Sequence, residues 1–122
     1  MASESPPDWV RNRPRTRAII CDIDDTLCTQ FDQPILTACR WLAQLDRSVE
    51  VHYVTARPEA SRKGTEQFLA DQRLPGWRNI HFCPDWQSSR THKTEVIARL
   101  ARQYAVVSIG DHEAFGFRSA LA

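Results

Sequence analysis

The stretch Ala18-Ile19-Ile20-Cys21-Asp22-Ile23-Asp24-Asp25-Thr26-Leu27 decides how the chain is read. Its first four residues form an uninterrupted apolar run, the pattern of a buried strand. Three carboxylates, Asp22, Asp24 and Asp25, follow within four residues. They fall at the carboxyl end of that strand, where open α/β sheets form their sites. Carboxylates this close repel one another and oppose folding. A cation is the simplest compensation, and hard oxygen donors in this number suit Mg²⁺. Taken alone, the run also fits an acidic surface turn that merely ends a strand.

Outward from this run the pattern alternates between strand and helix. Pro34 can open a helix in which Ile35, Leu36, Cys39, Leu42 and Leu45 recur at helical spacing. Residues 49–54 read as a second strand. Pro58 is expected at the start of a second helix running to about Gln72, stopped by Leu74-Pro75-Gly76-Trp77. Residues 79–83 form a weaker third strand. Thr91 is expected to cap a third helix carrying Val96, Ile97, Leu100, Ala101 and Tyr104 on one face. Residues 105–109 are a fourth strand, with a closing helix from Glu113. Such alternation implies right-handed βαβ units. The expected fold is therefore α/β, a three-layer Rossmann-like parallel sheet flanked by helices. Residues 17–122 are read as one domain and residues 1–16, rich in Pro, Ser and Arg, as a flexible tail.

The totals narrow the function classes. A chain of 122 residues suits one domain, since two would each be too small to bury a good core. A formal net charge of +1 supplies no global field for nucleic acid or an anionic membrane, although it allows a local basic patch such as residues 11–17. No apolar run approaches the roughly 20 residues needed to span a bilayer, and the N-terminus lacks the pattern of a signal peptide, so a cytoplasmic location is expected. Cys21, Cys28, Cys39 and Cys83 form no CxxC pair and are expected as buried, reduced thiols.

Three further strand ends carry polar groups. The second ends in Thr55-Ala56-Arg57-Pro58, where a hydroxyl and the first backbone N–H groups of a helix can hold a phosphate. Lys93 lies at the front of the third helix, where its charge can neutralise a phosphoryl oxygen. The fourth strand ends in Gly110-Asp111. Singly these also read as a threonine cap, a solvated lysine and an aspartate N-cap. Their order and shared edge argue against coincidence.

In that order the four motifs resemble those of the haloacid-dehalogenase-like (HAD) superfamily. The DxDxT motif matches at Asp22, Asp24 and Thr26, the Thr/Ser motif at Thr55, the lysine motif at Lys93, and the terminal acidic motif at Gly110-Asp111. The resemblance implies a Mg²⁺-dependent phosphatase in which Asp22 becomes phosphorylated and Asp24 acts as general acid and base. Thr55 and Lys93 would hold the phosphoryl oxygens, and Asp22, Asp24 (through its carbonyl) and Asp111 the metal. An aspartate at position 24 favours phosphoryl transfer over dehalogenation. The last motif departs from the pattern: His112 follows Asp111, and Phe115 and Gly116 stand where a second acid is usual.

Family members often insert a cap after the first motif or between the second and third. Here those intervals, residues 27–50 and 58–92, are used up by a helix and a strand each, so a cap-less, open site is expected. Such a site admits a nucleic-acid 3′-phosphate end or a phosphoprotein. Closed by a homo-oligomer, it would instead suit a small phosphomonoester. The Tyr53-Val-Thr-Ala-Arg-Pro58 segment is similar to polynucleotide 3′-phosphatase domains, which makes Arg57 a substrate-binding candidate and places Arg62 further along the helix. Trp86 is the aromatic expected to be able to face a substrate base. His52 and His81 read as packed neutral histidines, and His92 and His112 flank motif residues. The rival readings are a phosphotransferase and a binding or regulatory module with weakened turnover.

Overall fold

The structure is a computed structural model that describes residues 16–110. Four strands are formed: β1 (Arg17–Asp22), β2 (Glu50–Val54), β3 (Ile80–His81) and β4 (Ala105–Ile109). Three helices connect them: α1 (Leu36–Ala43), α2 (Arg62–Asp71) and α3 (Ser89–Ala101). All strand pairs are parallel and the order is β3-β2-β1-β4. The chain thus steps outward from β1 to β2 to β3, then crosses back to β1's other side. That reversal makes the β1/β4 boundary the switch point, where a crevice opens at the carboxyl ends. In register, Asp22 lies beside Val54 and Cys21 beside Ile109.

β1 is buried from Ala18 onward because both of its neighbours and both faces are covered. Side chains alternate along it. Ile19 and Cys21 join Val51 and Tyr53 under Cys39 and Leu42 of α1 and Phe68 and Leu69 of α2. Ile20, with Val54, packs on the opposite face under Val96 and Leu100 of α3. Helices therefore cover both faces, and the three-layer Rossmann-like α/β architecture is the one expected. Residues 27–50 hold α1 and a short 3-10 turn at Gln30–Asp32, and residues 58–92 hold a 3-10 turn at Glu59–Ser61, α2, β3 and the first turn of α3. No helix among the described residues is long and apolar enough to cross a membrane.

Several boundaries differ from the sequence reading. α1 begins at Leu36, two residues after Pro34, and leaves Leu36 on the solvent side while Cys39 and Leu42 are buried. Pro58 precedes a 3-10 turn, and α2 starts only at Arg62. β3 is two residues long and pairs with β2; beyond it, the Cys83 N–H donates to the Arg57 carbonyl. The cap of α3 is Ser88, whose hydroxyl accepts from the Thr91 N–H, so Thr91 lies inside the first turn. The expected helix from Glu113 lies outside the described residues.

The four cysteines are free and buried, and burial raises the Cys21 and Cys28 thiols, Cys28 to about 11. His52 and His81 pack between β2 and β3 in a chain with defined direction. Arg99 can only donate, so its N–H to His81 Nδ1 (3.3 Å) leaves the His81 proton on Nε2. That proton is given to His52 Nδ1 (3.1 Å), and His52 Nε2 donates to Glu50 (2.9 Å).

Burial first, then the neighbouring His52, Arg99 and His92, lower the His81 pKa from 6.5 to about 4. Between those two values the unfolded chain binds the proton that the folded chain refuses. Stability is therefore expected to fall as pH drops from 6.5 to about 4 and to level off below, by on the order of 1–2 kcal/mol after solvent screening. Urea unfolding at pH 7 and pH 4.5 reads this directly. A His81→Gln variant losing as much stability over the interval as the wild type would assign the effect elsewhere.

Candidate active site

The loop after β1 is wound around one carbonyl. Ile23 O accepts from the N–H groups of Thr26, Leu27 and Cys28, and the Asp25 N–H donates to Cys28 O. This tight turn places Asp25 at φ 64°, a left-handed conformation that aspartate tolerates better than most residues. It separates the three carboxylates, which do different things.

Asp22 is the buried one, its side chain 5% exposed. Oδ1 accepts from the Ile23 N–H at 2.9 Å, and both carboxylate oxygens lie 3.2–3.3 Å from Lys93 Nζ. Lys93 stands in the second turn of α3, not at its first residue, and reaches across 71 residues of sequence to the end of β1. Asp24 is turned to the other side of the loop. Arg57 Nε donates to its Oδ2 (3.1 Å) and Nη2 to its Oδ1 (2.8 Å), a two-pronged charge-assisted contact. These bonds are the largest cause of a lowered Asp24 pKa, so Asp24 is ionised at neutral pH. Asp25 is exposed.

Arg57 is the hub of this edge. Nη2 also donates to Asp32 Oδ1 (2.9 Å) and toward Cys28 Sγ (3.6 Å), while Nη1 donates to Thr65 Oγ1 (3.0 Å). Its side chain is 17% exposed. Asp32, Thr65 and Cys28 were not legible as its partners, because no local period links positions on three separate elements. The backbone that presents Asp32 is left-handed: Phe31 and Asp32 have φ 57° and 54°, a region that costs a residue such as Phe roughly 1–2 kcal/mol and that aspartate tolerates better. Phe31 is 92% exposed and recovers nothing by packing. The Asp32 side chain is 45% exposed, so its ion pair returns at most about 1 kcal/mol.

Thr55 closes β2 and is fully buried. Its hydroxyl accepts from the Arg57 N–H at 3.0 Å, so this expected phosphate ligand is engaged within its own loop. Thr26 Oγ1 is buried with no hydrogen-bond partner among the described residues. Asp111, expected as a metal ligand, and His112 lie outside the described residues. Arg62 pairs with Glu59 and Glu66 and lies over the Phe82 ring rather than joining the edge. His92 is buried and bonds to the His81 carbonyl. Trp86 is 81% exposed in the loop between β3 and α3.

Among the described residues no group of three metal-donor side chains gathers. The buried Asp22 carboxylate is a hard oxygen donor of the kind Mg²⁺ takes, and further oxygen donors would be needed to complete a site.

The class C acid phosphatase from Bacillus anthracis is similar to this chain in fold, with a TM-score of 0.65 at 12% sequence identity. The likeness covers 87% of this chain and 56% of that one, so the chain spans little more than half of that protein's length. No family model matches the sequence, and no curated protein matches it.

Proposed function

We propose that the chain is a cap-less, Mg²⁺-dependent phosphomonoesterase of the haloacid-dehalogenase-like kind. The observation that carries this reading is the buried Asp22 carboxylate held against Lys93 at the sheet's switch point, beside an Asp24 gripped by Arg57. The fold shared with an acid phosphatase supports it.

In the proposed reaction an Asp22 oxygen attacks phosphorus in line, forming an aspartyl-phosphate as the bond to the leaving oxygen breaks. A proton on Asp24 passes to that oxygen. Asp24, ionised again, takes a proton from water, and the hydroxide attacks phosphorus to release phosphate and restore Asp22. Loading the first proton requires loosening the Arg57 grip; the resting ionised state suits the second step. Lys93 offsets the charge gathering on the equatorial oxygens, and the Thr55 hydroxyl would join it once turned outward. Asp22, the Asp24 carbonyl and Asp111 would hold Mg²⁺, which when bound offsets the repulsion between nucleophile and phosphate.

The exposed rings of Phe31 and Trp86, on two loops at this edge, support a substrate bearing a base, such as a nucleic-acid 3′-phosphate end, since bases stack on aromatic faces. The test is release of inorganic phosphate from 3′-phosphorylated oligonucleotides, nucleotides, phosphopeptides and sugar phosphates, with Mg²⁺ and with chelator. The expected result is Mg²⁺-dependent release, highest on the oligonucleotide. Turnover equal in both conditions would remove the metal from the scheme. No release from any substrate by folded protein would leave a binding module.

A further inference from the structure

Asp32 carries no motif, yet it completes the network around Arg57. A half-exposed ion pair of this kind returns at most about 1 kcal/mol, so stability is not its main effect. What it does is fix a guanidinium. Asp24 takes Nε and one hydrogen of Nη2, Asp32 takes the other hydrogen of Nη2, and Thr65 takes Nη1. The donors held by Asp24 form the two-pronged edge that a phosphate, as a planar pair of oxygens, recognises equally well. If phosphate displaced Asp24 and Asp32 were absent, Thr65 and the weak contact to Cys28 Sγ would be left to hold the side chain.

We propose that Asp32 is a positioning residue for phosphate, a role that rests on the phosphatase reading. It keeps the Arg57 guanidinium at the mouth of the site while the donors now on Asp24 pass to an incoming phosphate. Asp32 touches neither substrate nor reacting atoms; it acts through Arg57. The tie between the loop after β1 and the loop after β2 also persists through the exchange.

The test compares Asp32→Ala and Asp32→Asn with the wild type. Orthophosphate affinity is measured by calorimetry, KM and kcat with a 3′-phosphorylated oligonucleotide, and folding by thermal melting. Asp32→Ala is expected to weaken orthophosphate binding and raise KM about tenfold, with a much smaller change in kcat. Asp32→Asn, whose amide oxygen still accepts from Nη2, is expected to recover most of that loss. Two results overturn the proposal. Tighter binding in both variants would mean Asp32 acts only as a charge repelling phosphate. Unchanged constants with a lowered melting temperature would make it structural. Orthophosphate binding that depends on Asp32, in a wild type without turnover, would refute the phosphatase reading and leave the positioning role standing. Absence of both binding and turnover in the wild type would remove the two together.

Discussion

Replacing Asp22 with Asn is expected to lower phosphate release about 10⁴-fold or more while leaving the protein folded. The three acidic residues of the loop are chemically alike, and their surroundings decide between them. Asp25 is exposed and makes no contact with Lys93 or Arg57 among the described interactions. Asp24 has both oxygens occupied by a guanidinium, which withdraws the electron density a nucleophile needs. Of the three, Asp22 is the one in hydrogen-bond contact with Lys93, at a buried strand end where a cation can draw a phosphate in and offset the charge of the attack. Asn keeps the shape, and its amide oxygen can still accept from the Ile23 N–H or from Lys93, whose side chain is more exposed than that of Asp22, so folding changes little. It has no anionic oxygen to form the aspartyl-phosphate. Phosphate release and a denaturation curve on the same preparation test this. Undiminished turnover in a folded Asp22→Asn protein would transfer the nucleophile's role to another carboxylate and dissolve the scheme.

The fold was more legible than the wiring of the site, for a physical reason. A buried central strand announces itself locally: residues 18–21 are an uninterrupted apolar run and lie in β1, between β2 and β4. Residues 105–109 also form a strand, β4, at the sheet's edge, with Ile109 buried. Residues 79–83 mix polar Asn79 and His81 with apolar positions in place of such a run, and they yielded only Ile80–His81. Ser88 and Thr91 are both N-cap residue types, and composition alone could not choose between them. The turn at Pro84, closed by the Gln87 N–H to the Pro84 carbonyl, brings the chain into α3 at Ser88. At the site, Asp22 and Lys93 could be paired only through the order of motifs, since 71 residues separate them. The Arg57 contacts to Asp32 and Thr65 follow from the tertiary fold. Arg57, expected as a substrate ligand, proved to be bound first by the protein's own acceptors.

Replacing Lys93 with Met is expected to lower kcat about 10²–10³-fold and, separately, to destabilise the fold by about 3 kcal/mol. The catalytic loss is that of one preorganised charge directed at the developing oxyanion. The stability loss has a different origin: with the ammonium gone, the Asp22 carboxylate, only 5% exposed, lies beside an apolar chain. A buried ion pair on its own does little for stability, because desolvating two charges consumes most of their attraction, whereas removing one partner leaves the other's desolvation uncompensated. The double variant Asp22→Asn/Lys93→Met separates the two roles. It contains neither charge, so it is expected to regain most of the lost stability, giving a coupling energy of about 2–3 kcal/mol in the cycle, and to remain inactive. Urea unfolding of the four proteins measures the coupling, and phosphate release measures the chemistry. Additive stability losses would mean that Asp22 and Lys93 act independently in folding. Recovered stability without activity would mean that this strand end holds an ion pair the fold does not require and the reaction does.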